Sequence, residues 1–208
     1  MNRDNLLLVV AIIAVVISIT GFFVTYYVAD SYRNVWFTGF ATEYGDIRVE
    51  VQEAVRVNFT QQLIDWGTGQ VLAGEDNATL STVADVDNIN SEGWSNLSEG
   101  FIVKNIGNRN ISLALNTTQN AAGFIGGTGP AYEFNVTNNL PDSCTNSTGF
   151  NLNEFHDVVA NSTGQDICDV FEFTSGRDEI RIDLRLVIPS DSQTGLLEDQ
   201  MHALFEAV

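Results

Sequence analysis

An N-terminal hydrophobic α-helix followed by an all-β, immunoglobulin-like sandwich is the fold class this sequence predicts. Three observations predict it. Residues Leu6–Val28 (LLLVVAIIAVVISITGFFVTYYV) contain no charged side chain. Residues 47–59 and 180–188 alternate apolar and polar side chains with the period of a half-buried strand. Further short apolar runs are separated by Gly, Asn, Asp and Ser clusters that read as turns. In 208 residues, the part beyond the helix has room for one compact domain. The expected organisation is a helix over 1–30, a connector over 31–45 and a β-domain over 46–208.

The apolar run is long enough to cross a bilayer, which takes about 20 residues. Tyr26, Tyr27, Tyr32 and Trp36 form an aromatic cluster where the segment would leave the membrane. A cleaved secretory peptide is the rival reading. Its apolar stretch is usually about 7–15 residues behind a basic start, whereas here the run is longer and the start is Asn2-Arg3-Asp4-Asn5.

Along the domain, Ile47, Val49, Val51, Val55, Val57 and Phe59 define the clearest strand pattern. Leu63, Ile64 and Trp66 before Gly67-Thr68-Gly69 predict a short strand and turn, continued by Val71-Leu72. Residues 74–99 are polar and predict loop. Phe101-Ile102-Val103, the turn 105–108 and the alternating Ile111, Leu113 and Leu115 predict a hairpin across 101–116. Tyr132, Phe134 and Val136 mark another strand. Val170, Phe171 and Phe173 precede a turn at 175–178, and Ile180 to Ile188 alternate until Pro189 ends the run. Residues 196–208 fit either a last strand or a short amphipathic helix. About seven to nine strands with turns between them imply the sandwich.

The formal charge is −18, from 27 acids against nine bases, and Lys104 is the single lysine. Nucleic-acid binding, which needs a basic footprint, is excluded as an expectation, and docking on anionic headgroups is disfavoured. Carboxylates without lysine suit a surface that stays hydrated in high salt, where screening over roughly 3 Å at 1 M removes most self-repulsion. Cys144 and Cys168 lie in Asn-, Ser-, Thr- and Asp-rich sequence, with no second Cys or His at ligand spacing. They are expected to pair as a disulfide, worth roughly 3 kcal/mol in chain entropy.

Eight N-x-[ST] triplets begin at Asn58, Asn77, Asn96, Asn110, Asn116, Asn135, Asn146 and Asn161. The Asn, Ser and Thr content predicts roughly three by chance. All eight fall in the expected outer domain, so they are candidate N-glycosylation sites and orient the chain with its C-terminal part outside.

Catalytic chemistry finds little to work with. His156 and His202 are far apart and lack a partner motif. Gly123, Gly126, Gly127 and Gly129 match no nucleotide fingerprint and precede a strand, so a turn or close backbone approach is expected. Asp85, Asp87 and Asn88 resemble the start of a calcium loop, but Ile89 stands where a ligand oxygen is needed. Glu198 and Asp199 read as a solvated face. No enzyme, metal or cofactor is expected beyond covalent N-glycans.

The helix Leu6–Val28, with the runs FIVKNIGNRNISLAL (101–115) and IRIDLRLVIPSD (180–191), resembles the archaeal type IV pilin-like group of pilins, archaellins and anchored β proteins. Asp4 and Asn5 stand where many bacterial pilins carry glutamate, and no basic-then-small processing site precedes the apolar run. Either the numbering begins at the mature end or the helix is never cleaved. The resemblance implies a filament subunit. The monomer waits in the membrane, and assembly transfers the helix into a bundle of sister helices. Ala11, Ala14, Ser18 and Gly21 would allow close approach there, with the glycosylated sandwich outside. The partners expected are other copies of the chain and, before assembly, the membrane. A single-pass surface glycoprotein or filament-base component is the alternative. A carbohydrate or adhesion module would be favoured by an exposed Trp66 and Trp94.

Overall fold

The computed structural model describes residues 3–33 and 48–208. The chain divides into two compact units, residues 1–50 and 51–208. In the first, α1 runs unbroken over Arg3–Arg33, beyond the expected end at 30. The rest of the 31–45 connector lies outside the described residues. No proline interrupts α1, and a helix satisfies every backbone group internally, as an apolar surrounding requires.

The second unit contains β1 (Val57–Gln61), β2 (Gln70–Val71), β3 (Asn77–Ser81), β4 (Ser91–Glu92), β5 (Phe101–Asn105), β6 (Ile111–Thr117) and α2 (Ala121–Phe124). It continues with β7 (Ala131–Asn138), β8 (Cys144–Asn146), β9 (Phe155–Asp157), β10 (Gln165–Phe171), β11 (Glu179–Pro189) and β12 (Met201–Ala207). The described residues therefore hold twelve strands, several shorter than the sequence pattern resolves. Six form one antiparallel sheet in the order β1-β5-β11-β7-β9, with β3 also on β11. Four form a second in the order β12-β6-β10-β8, and β2 and β4 make a small ribbon.

The alternation in β11 does what period 2 requires. Ile180, Ile182, Leu184, Leu186 and Ile188 are buried, while Arg181 and Arg185 lie on the other face and are only half-buried. Tyr132, Phe134 and Val136 of β7 join the same core, and Leu113, Leu115 and Phe171 reach it from the second sheet. Phe134 stacks on Phe150 with ring centroids 5.8 Å apart. Each such fully buried side chain contributes about 1.5–3 kcal/mol of transfer free energy.

Four expectations are corrected. The first is the strand over 47–59, which exists only from Val57. Ile47 lies outside the described residues, and Val49 and Val51 are 80% and 81% exposed. The reason is the partner: β1 pairs with β5 from Val57 opposite Asn105, where β5 ends. Residues before Val57 meet a turn instead. The N–H of Asn108 donates to the Ala54 carbonyl (2.9 Å) and that of Ile106 to the Arg56 carbonyl (3.0 Å). Gly107 permits this crossing, because a Cβ there would stand 2.4 Å from the Ala54 oxygen.

Second, residues 101–116 are not a hairpin. β5 belongs to the six-stranded sheet and β6 to the four-stranded one, so residues 106–110 turn a corner between layers. Buried Asn105 holds that corner. Its Nδ2 donates to the carbonyls of Arg109 (3.0 Å) and Phe171 (3.2 Å), and its Oδ1 accepts the Gly107 N–H (3.0 Å). Third, the polar segment 74–99 contains β3, whose Ala78 and Leu80 are buried. β5 pairs with residues 179–182 of β11 and β3 with residues 185–189. At the junction Arg181 grips Asp183 through Nε (2.9 and 3.0 Å) and Nη2 (2.7 Å), while Thr82 donates to Asp183 (3.0 Å). Fourth, the expected short strand at Leu63, Ile64 and Trp66 does not form, and only Gln70–Val71 is paired there. The open choice at the C-terminus resolves to β12, paired along its length with β6.

Candidate functional site

The features that bear on function are the surface of α1, the disulfide and the sequon asparagines. Within α1, Leu7–Val28 has a mean hydropathy of 3.0 and none of it is buried. At 1.5 Å per residue, those 22 residues extend about 33 Å, against a hydrocarbon thickness of about 30 Å. The segment is long and apolar enough to cross a membrane, as an anchor or as a signal sequence does. Its polar side chains are partly satisfied within the helix: the Thr20 hydroxyl donates to the Val16 carbonyl and the Thr25 hydroxyl to the Gly21 carbonyl, both at 2.8 Å. Ala11, Ala14, Ser18 and Gly21, spaced by alternating three and four residues, share one helical stripe. Among the described residues nothing lies within 4 Å of a Cβ placed on Gly21, and Ala11, Ala14 and Ser18 are exposed.

Cys144 of β8 and Cys168 of β10 form a disulfide, with Cα atoms 5.8 Å apart and a sequence separation of 24. Both are buried, and the bond fastens the edge of the four-stranded sheet.

None of the eight sequon asparagines is buried. Asn58, Asn77, Asn96, Asn146 and Asn161 are exposed, while Asn110, Asn116 and Asn135 are half-buried. Several carboxamides are engaged. Asn96 Nδ2 donates to Asp87 (2.8 Å) and Asn116 Nδ2 to the Asn161 carbonyl (2.6 Å). Asn161 Oδ1 accepts the N–H and hydroxyl of Thr163 and the Gly164 N–H.

The remaining candidates are absorbed by structure. His156 Nε2 lies 2.9 Å from the Asn151 carbonyl and its ring packs 4.2 Å from that of Phe150. His202 is exposed on β12. Asp87 accepts from Asn96, and Asn88 joins the Ser81 N–H to the Ser95 carbonyl. Among the described residues no group of three or more His, Cys, Asp or Glu is placed to hold a metal ion. Gly126, Gly127 and Gly129 have positive φ, and Gly127 packs so closely on Asp191 that a Cβ would lie 2.6 Å from its Oδ1. Asp199 is less solvated than its sequence suggests. It accepts from the Thr118 hydroxyl and from the Gln119 N–H (3.1 Å). Burial, followed by the charge of Asp199, pushes the Tyr132 phenol far up. Trp66 and Trp94 are half-buried against the core, so they form no exposed aromatic platform.

Lys104 pairs with Glu179 (2.7 Å) and Asp178 (3.4 Å). The hydrogen bond between them raises the Lys104 ammonium and holds the Glu179 carboxyl below the usual range. Arg185 forks onto Glu133 at 2.6 and 2.9 Å and lies 4.1 Å over the Phe155 ring. Among the described residues Lys104, Arg109, Arg177, Arg181 and Arg185 are paired with acids.

A groove of about 410 Å³ opens between β1 and β12 and is lined by Val57, Phe59, Phe101, Asp199 and His202 among others.

The chain matches no protein-family model, no curated protein and no solved structure.

Proposed function

We propose that this chain is a structural, non-catalytic subunit of an extracellular filament of the type IV pilus or archaellum kind. In this reading α1 packs in the filament core, and an immunoglobulin-like, N-glycosylated sandwich forms the outer sheath. The observation that carries it is the Leu7–Val28 helix, apolar on every side and exposed along its length. Such a surface needs either lipid or other apolar helices. Removing its side chains from water is worth about 25 cal/mol per Å2, enough to make either environment effectively permanent. The stripe Ala11, Ala14, Ser18 and Gly21 favours sister helices, because small residues let backbones approach. Heterologous contacts that do not close would extend the bundle into a filament.

The acidic, lysine-poor surface supports a high-salt exterior, where screening offsets a formal charge of −18. The disulfide suits an oxidising location outside the cell. The single-pass surface glycoprotein or filament-base component is kept as a second reading, because the same span fits a bilayer in length.

Electron microscopy of material sheared from cells, with mass spectrometry of the same fraction, separates the two. Filaments that contain this chain without detergent support the subunit reading. A chain that stays wholly with detergent-soluble membranes, with no filament containing it, supports the anchored one.

A further inference from the structure

Five strands lie at the edges of the two principal sheets among the described residues: β1 and β9 at the ends of the first, β3 branching from it, and β12 and β8 at the ends of the second. On its far side β3 meets the bridge Thr79 to Ile89 and donates the Ser81 N–H to Asn88 Oδ1, and on β8 the Cys144 N–H donates to Asn138 Oδ1, so these two edges are only partly open. An edge strand presents unpaired N–H and C=O groups to any other chain, and soluble proteins blunt that template with charge, proline or a cover. Here the devices divide cleanly. β9 carries Asp157, and β12 carries Glu206. The other three (VNFTQ, NATLS and CTN) contain no charged residue and no proline. Each of those three contains a sequon asparagine: Asn58, Asn77 and Asn146.

These same three asparagines are exposed, and among the described residues their carboxamides make no hydrogen bond. The other sequons differ. Asn96 has its Nδ2 on Asp87 and its Oδ1 on the Asn88 N–H. Asn110 is half-buried, with Oδ1 accepting the Phe173 N–H. Asn116 spends its Nδ2 on Asn161, and its Oδ1 is buried. Asn135 sits mid-strand in β7 between β11 and β9, with a buried Oδ1. Asn161 is exposed in a loop, with its oxygen held by Thr163 and Gly164 and its Nδ2 unengaged among the described residues. A transferase must reach Nδ2 and replace one of its two hydrogens, so an amide that is half-buried or whose Nδ2 already donates is the poorer acceptor.

We propose that the glycan acceptors are Asn58, Asn77, Asn146 and Asn161, and that the first three carry glycans whose role is to block edge-to-edge strand pairing. The proposal rests on the glycosylated-surface reading above and names its modification sites and their physical purpose. A hydrated glycan beside an uncharged edge does what Asp157 and Glu206 do on theirs: it makes approach by a second strand costly in desolvation and in volume.

Glycopeptide mass spectrometry of the full chain from its native cell surface tests the assignment. Added mass is expected at Asn58, Asn77, Asn146 and Asn161, with Asn96, Asn110, Asn116 and Asn135 bare. Sugar on Asn116 or Asn135, or bare edge asparagines beside occupied ones elsewhere, overturns it. A chain bare at every sequon overturns the glycosylated sheath itself, while leaving the filament reading to electron microscopy. The purpose is tested by sedimentation of the native full-length chain in detergent. The triple variant N58Q, N77Q, N146Q is expected to lose three glycan masses and to shift several-fold towards larger species. N161Q is expected to lose one and to sediment as the parent does. A triple variant that sediments unchanged overturns the edge-blocking role.

Discussion

Ile13 and Ile182 carry the same side chain, yet Ile13 is 53% exposed on α1 and Ile182 is fully buried between sheets. In the sandwich, each apolar face finds its cover within the chain, because alternation turns every second residue towards the opposite sheet. In α1 no face is polar, so no orientation of the helix removes the apolar surface from water. The β-domain therefore buries its apolar faces within the chain, whereas the apolar surface of α1 stays exposed. Sequence separates the two behaviours: a period of two marks self-sufficiency, and the absence of any period marks dependence on an environment.

Substitutions in the sandwich sharpen that contrast when they lower domain stability without changing how α1 partitions. The largest effect is expected from Phe134→Ala, which removes a ring that is 1% exposed and stacked on Phe150. It should cost about 3–5 kcal/mol, read as a lower midpoint in denaturant, with the chain still in the membrane or filament fraction. Reducing the Cys144–Cys168 bond should cost roughly 3 kcal/mol by chain entropy, measured by unfolding with and without reductant. Asn105→Ala should cost about 1–3 kcal/mol, because it strips the buried corner of its bonds to Arg109, Phe171 and Gly107. Hydrogen exchange should quicken at residues 105–110 first. Smallest is Lys104→Met, about 1 kcal/mol at neutral pH once solvent screening of these part-exposed groups is allowed for. Its pH dependence is specific. A carboxyl held low by folding contributes stability above its unfolded value near 4.5 and loses it as pH falls through the lower folded value. The difference between parent and variant should therefore be full at pH 7 and fade well below pH 4.5 in urea titrations. A change in α1 partitioning from any of the four would break the contrast.

The legible parts of the fold were those where alternation and pairing agree. Tyr132, Phe134 and Val136, and the run from Ile180 to Ile188, pointed to β7 and β11 because both lie inside the sheet, with cover on one face. Val49 and Val51 show the same alternation without a strand, because β5 turns its corner at Asn105 and leaves them no partner. Period records a capacity for pairing, and the partner is a tertiary fact. β3 was hidden for the opposite reason. Ser81 and Thr82 are buried polar residues whose cost is met by hydrogen bonds to Val83, Asp183 and Leu184, a compensation that hydropathy does not register. The corner at 106–110 and the crossing from β10 to β11 both carry hairpin-like turn residues, which report a reversal but not which sheet receives it. Of the site, the disulfide and the open helix were readable. The engagement of Asn96 by Asp87 and of Asn116 by Asn161 was not, since those partners meet only in the folded loops.

The central claim is that the exposed face of α1 is covered by other copies of itself. A photo-activatable cross-linker at Ile13, activated on intact cells, tests it most directly. The account predicts chain-to-chain adducts that map to residues 7–28 of a second copy. Adducts to lipid alone would contradict it.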